Sequence, residues 1–188
     1  MQQLHRRTFQ ATPFVGALVL AALMTTGLGT ARATEIIPSL GITKSTDANA
    51  GDAQGFAGVA LRAPLFPFLK AEGAIGYRQE TFPGLKLRQW PVSASLWLTP
   101  FPMLYAGGGL GWYRTTLAYN SNIPIGNTTS DKVGVHIGGG VDVPLGPQLA
   151  LDMNGRYIFM KQDQASLAIP TTFNPDYWNL TLGLAVRF

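Results

Sequence analysis

The chain has no cysteine, so no disulfide or thiolate site can hold it together. Beyond residue 33 it has one histidine, His136, which leaves too few ligands for a zinc or copper centre. No metal and no cofactor are therefore expected. After residue 33 no stretch approaches eighteen consecutive apolar residues, which excludes a membrane-spanning helix. Charge is also sparse, at 13% of residues, while 46% are hydrophobic. The formal net charge of +4 is misleading, because Arg6, Arg7 and Arg32 lie in the first 33 residues and no acid does. From residue 34 onward, eleven basic residues face ten acidic ones. That balance gives no support to nucleic-acid binding.

Residues 1–33 have the layout of a secretory signal peptide. Arg6 and Arg7 give a basic start, Phe14 to Met24 form an apolar run, and Ala31-Arg32-Ala33 is a small-x-small cleavage site. Residues 34–188 are expected to form one domain.

The apolar residues of that domain follow a period of two. Trp178, Leu180, Leu182, Leu184, Val186 and Phe188 share one parity, and Tyr177, Asn179, Thr181, Gly183, Ala185 and Arg187 the other. A strand sends alternate side chains to opposite faces, so this segment has one greasy face and one polar or small face. Ten steps at about 3.4 Å, tilted by about 40°, climb roughly 26 Å, close to the apolar band of an outer-membrane barrel.

Three proline turns punctuate the chain: Pro64-Leu65-Phe66-Pro67, Pro100-Phe101-Pro102 and Pro144-Leu145-Gly146-Pro147. Each is followed by the same series. Counted from the last proline, apolar or small residues fall at the second, fourth, sixth and eighth positions, and an aromatic at the tenth. Those aromatics are Tyr77, Trp112 and Tyr157. With Trp90 and Trp178 they are expected to form an aromatic girdle at one membrane interface. Alternating segments before each turn, a first strand around residues 36–44 and the terminal strand bring the count to eight. Four longer connections are expected over residues 45–54, 79–85, 115–130 and 161–176, the last two rich in Asn, Thr, Ser and Pro.

These features specify an all-β fold, an eight-stranded antiparallel up-and-down transmembrane β-barrel. The chain resembles the small eight-stranded outer-membrane barrels of the OmpA transmembrane-domain, OmpX and opacity-protein type. The resemblance covers residues 34–188 and rests on architecture and on the C-terminal pattern. It implies a place in the bacterial outer membrane and lipids as surroundings. It also implies that the barrel-assembly machinery reads the terminal strand, with Trp178, Leu180, Leu182, Leu184, Val186 and Phe188 as the signal.

An eight-stranded barrel is narrow enough for side chains to fill. Charges with inward parity then need partners. Glu72 and Asp152 both stand five residues past a turn proline, and a network joining them to some of Arg62, Lys70 and Arg156 is expected. Inward glycines (Gly107, Gly109, Gly111, Gly134, Gly138, Gly140) make room for Trp97, Tyr105 or Tyr113. His136 has no serine two residues away, so the pattern of a lipid A deacylase is missing.

The chain therefore reads as a non-enzymatic barrel with a filled lumen. It would serve envelope integrity, or surface recognition and adhesion through connections 115–130 and 161–176, where a surface ligand is expected. A narrow channel or carrier for small hydrophobic solutes is the alternative, and a lipid A-modifying enzyme stands third.

Overall fold

A computed structural model describes residues 34–46, 52–82, 85–119, 128–160 and 176–188. The expected signal peptide, residues 1–33, and most of connection 161–176 lie outside these described residues. Eight strands follow in chain order: β1 (Glu35–Ser45), β2 (Gln54–Phe66), β3 (Leu69–Phe82), β4 (Leu85–Leu98), β5 (Leu104–Tyr119), β6 (Thr128–Pro144), β7 (Leu149–Met160) and β8 (Tyr177–Arg187). Each pairs antiparallel with its sequence neighbour, and β1 pairs with β8, closing the barrel. Closure matters because hydrocarbon offers no hydrogen bonds, so a spanning sheet can leave no free edge.

Outward and inward faces follow the parity of the sequence. Leu180, Leu182, Leu184, Val186 and Phe188 are exposed on the outside of the wall, whereas Tyr177, Asn179 and Ala185 are buried inside. The three turn repeats occupy equivalent places. β3, β5 and β7 begin on Leu69, Leu104 and Leu149, so Tyr77, Trp112 and Tyr157 each stand eight residues into their strand. Outside, Tyr77 packs on Trp90 at a centroid distance of 4.8 Å, and Tyr157 pairs with Trp178.

Two connections are shorter than their composition implies. The described residues of the expected connection over 115–130 are strand, with Thr115 opposite Ser130, Thr116 opposite Thr129 and Leu117 opposite Thr128. Threonine is polar but β-branched, and cross-strand Thr–Thr and Thr–Ser pairs favour extended backbone over loop. The connection over 79–85 is likewise mostly ladder, from Gln79 opposite Arg88 to Phe82 opposite Leu85. The span from Ser45 to Gln54 does separate β1 from β2. Strands β3 to β6 consequently rise higher than the rest.

The stagger of the barrel can be followed along one row of paired residues. From Arg187 on β8 it passes through Glu35, Arg62, Glu72, Ser95, Gly109, His136 and Ile158. It returns to β8 at Tyr177, ten residues nearer the start of that strand. This shear tilts the strands and makes inward side chains climb in a spiral.

Glycines mark where the wall leaves no room. A Cβ on Gly109 would overlap the carbonyl oxygen of Ala94, and one on Gly107 that of Leu96. Both obstacles are backbone, which cannot swing aside. Gly55, at the start of β2, would meet nothing within 4 Å. Gly109→Val is expected to destabilise the folded barrel by about 3 kcal/mol or more, read as loss of the heat-modifiable band on gels and a lower urea midpoint. Gly55→Val should leave both unchanged. Equal behaviour of the two variants would contradict this packing.

Candidate functional site: the lumenal plug

Cross-strand register builds the centre of the lumen. Arg62 on β2 stands between Glu35 on β1 and Glu72 on β3. Its Nε donates to Glu72 Oε2 at 2.9 Å and its Nη1 to Asp152 Oδ2 at 2.8 Å. Asp152 arrives from β7, across the lumen. Arg156, two inward positions further along β7, donates from Nη2 to Glu72 Oε1 and from Nε to Asn154, both at 2.6 Å. Tyr105 donates to Asp152 Oδ2 at 2.8 Å and accepts from Asn154 Nδ2 at 3.0 Å. Both oxygens of Glu72 are thus occupied, and its side chain has no solvent exposure.

A second cluster lies nearer the proline turns. Arg187 donates from Nε to Glu35 Oε1 at 3.0 Å and from Nη2 to Asp142 Oδ2 at 2.8 Å. Lys70 lies 3.2 Å from Glu35 and 3.6 Å from Asp142. Among the described residues, four carboxylates therefore meet four cations. Asp142 and Asp152 are direct cross-strand partners, a placement that repels unless neutralised. Each has its own arginine, Arg187 and Arg62 respectively.

Of the expected network, Arg62 and Arg156 hold Glu72, and Arg62 also holds Asp152. Lys70 pairs instead with Glu35 and Asp142, because one residue past the start of β3 it sits close to the turns. Glu35 is the residue that sequence reasoning missed. It has the inward parity of β1, but it stands at the strand's first position, beside the expected cleavage site.

Aromatics complete the plug by lying across glycines of neighbouring strands. One row runs Lys70, Trp97, Gly107, Gly138, Arg156. Two missing side chains let Trp97 reach Arg156, whose guanidinium carbon is 5.1 Å from the ring centroid. Trp97 is wholly buried. Tyr105 lies over Gly140 in the same way, and Phe56 over Gly76. The indole of Trp97 and the ring of Tyr105 meet edge to face at 5.3 Å. Further out, Arg78 stacks on Tyr177 with 3.8 Å to the centroid and donates to Gln89 at 2.7 Å.

His136 has a serine neighbour in space that it lacks in sequence. Ser95 Oγ is 2.9 Å from His136 Nε2. Gly109 stands between them in the row and allows the contact. A serine and an imidazole at this distance could form a nucleophile and its base. Both residues are buried, however, and no described carboxylate hydrogen-bonds the other ring nitrogen. The contact reads as a satisfied polar pair within the packing.

Little space remains. A cavity of about 60 Å³ is lined by Gly76, Tyr113, His136, Arg156, Tyr177 and Asn179 among others, room for about two water molecules. Towards the turns, a hollow of about 400 Å³ opens among Pro67, Pro100 and Pro102 and includes Lys70, Tyr105 and Asp142 in its lining.

A closed eight-stranded wall, apolar outside and ion-paired within, is the form in which strands cross a membrane. A family model, the outer membrane protein beta-barrel domain, matches residues 14–188. The chain belongs to that family. It is a protein of the bacterial outer membrane. Among solved structures, it is similar to Neisserial surface protein A, at 16% identity and a TM-score of 0.66, covering 84% of this chain and 100% of that one. OprG of Pseudomonas aeruginosa follows at 15% identity and 0.59, covering 85% and 98%. Ail, the attachment invasion locus protein of Yersinia pestis, follows at 12% identity and 0.57, covering 85% and 100%. At these identities the likeness is one of fold. No curated protein sequence matches the chain.

Removing one carboxylate from the plug tests its energetics. Glu72→Gln leaves Arg62 and Arg156 short of a buried counter-charge and is expected to cost about 3–5 kcal/mol. Lys70, with a side chain 22% exposed, lies at the open end, and Lys70→Met should cost less than about 1 kcal/mol. Urea unfolding of the two variants in lipid vesicles measures both. Equal losses would contradict the division between a sealed centre and an open mouth.

Proposed function

We propose that this protein is a non-enzymatic outer-membrane barrel with a closed lumen. It supports the envelope and acts at the cell surface by recognition or adhesion through its outer rim. The carrying observation is the filled interior. Arg62, Glu72, Trp97 and Tyr105 are buried across its middle, and the cavity beyond them has room for only about two water molecules. Such an interior favours a surface role over transport.

The rim offers what a surface role needs. β3 to β6 carry the ladder past the outer aromatics and bring the described strand ends Tyr119 and Thr128 to the rim. Among the proteins of similar fold, Ail is named for attachment and invasion, and it has been crystallised with the heparin analogue sucrose octasulfate. A sulfated surface glycan is accordingly a reasonable first probe. The terminal strand, from Trp178 to Phe188, is proposed as the segment by which the barrel-assembly machinery inserts the chain, and Tyr77, Trp90, Trp112, Tyr157 and Trp178 as the outer girdle.

The test uses whole cells displaying the full chain. Deleting residues 120–127 and 163–174 is expected to abolish binding to host cells or immobilised sulfated glycan while leaving the heat-modifiable barrel intact. Deleting Phe188 is expected to do the reverse, lowering the amount assembled but not the binding per assembled barrel. Binding unaffected by both loop deletions, together with steady conductance in planar bilayers, would replace this proposal with the solute-carrier reading.

A further inference from the structure

Two arginines stand just outside the apolar belt. On β4 the lipid-facing series runs from Leu98 through Leu96, Ala94 and Val92 to Trp90. On β5 it runs from Leu104 through Ala106, Gly108 and Leu110 to Trp112. Each series covers eight steps, about 27 Å of strand, or about 21 Å along the membrane normal at a tilt of about 40°. That nearly fills the hydrocarbon layer of an outer-membrane barrel, and each series ends on the residue type that favours the interface. The next outward-facing positions are Arg88 and Arg114, and both are exposed. Two residues further out places each about 5 Å beyond its tryptophan, at the depth of lipid headgroups.

Register makes these arginines neighbours. Trp90 pairs with Arg114, and Arg88 with Thr116, so the two arginines are diagonal across adjacent strands. Such positions are about 7–8 Å apart, close enough for two guanidinium groups to grip one tetrahedral anion. Neither forms an ion pair or side-chain hydrogen bond with a described residue. Arg62, Arg156 and Arg187 in the lumen, by contrast, each meet a carboxylate. Asp131 stands opposite Arg114 on β6 and is exposed, yet it forms no ion pair with it. Thr116 and Thr129, 3.4 Å apart through their hydroxyls, continue the polar face outward.

We infer that Arg88 and Arg114 form a binding site for the phosphate of a phosphorylated lipid in the outer leaflet. Trp90 and Trp112 flank the lipid just below its headgroup. Arginine suits the task, since its planar fork pairs with phosphate through two parallel hydrogen bonds and is always charged. The site lies on the lipid-facing wall, below the rim, so a headgroup can reach it without leaving the bilayer. The phosphate sits on the β4 side of Arg114, away from Asp131.

Native mass spectrometry of the folded full chain, released from mild detergent with added lipid A, tests this. Bisphosphorylated lipid A is expected to be retained about tenfold more than its dephosphorylated form, and R88Q/R114Q should erase the preference. R88K/R114K should keep part of it, and heat-modifiable mobility should show all variants folded. Equal retention of the two lipids, or an unchanged preference in R88Q/R114Q, would overturn the inference. So would displacement of the lipid by equimolar sucrose octasulfate, since the arginines would then serve a soluble anion.

Discussion

The ten-residue stagger of the closed ladder is the constraint from which the rest follows. Closure is obligatory in hydrocarbon, because every backbone donor and acceptor must find its partner within the wall. Once the ladder closes with this shear, the neighbours of each inward residue are fixed. Arg187, Glu35, Arg62 and Glu72 then fall on one rising row with alternating charge, although the chain separates the first from the last by more than a hundred residues. A slip of one residue at the β1–β8 seam would turn Glu35 and Arg187 toward lipid, and it would expose Ile36 and Val186 to the lumen. The ion pairs therefore act as a register check as well as a filling.

Filling so narrow a tube with charge demands room as well as partners. Glycines on β5 and β6 supply the room, and the bulky residues of adjacent strands occupy it. Trp97 reaches Arg156 across Gly107 and Gly138, Tyr105 lies over Gly140, and Ser95 touches His136 beside Gly109. Large residues are matched with glycines along the rows rather than along the chain. Stability at the centre comes from pairing Glu72 and Asp152 with Arg62 and Arg156 in a space without bulk water, where an unmatched charge would be costly.

Much of this was legible in the sequence because lipid imposes a strict period of two. The outward parity of Trp178 to Phe188, the proline turns and the aromatic ten residues past each turn depend only on local spacing. The closed fold follows from them. Pairing inside the lumen depends on stagger, which no local pattern encodes, so local spacing shows neither that Lys70 turns to Glu35 and Asp142 nor that Glu35 belongs to the set. The contact between Ser95 and His136 was hidden for the same reason, since forty-one positions separate them. Connection 115–130 misled in a different way. Its threonines and serines resemble loop by polarity, but they behave as strand by branching and cross-strand pairing.

A wall that is filled inside, with the proposed recognition surface at its rim, divides the molecule's work between its middle and its rim. The middle holds shape, the belt meets lipid, and the strands beyond Trp90 and Trp112 are the part to which the proposal assigns surface contacts. The sealed middle can be tested directly, because the chain has no cysteine of its own. A single cysteine at Ser95, assembled in native membranes, would be exposed to a small, membrane-impermeant thiol reagent from both sides. A closed plug predicts no labelling of the folded barrel and full labelling once it is unfolded. Rapid labelling in the folded state would show an open path through the lumen and contradict the account.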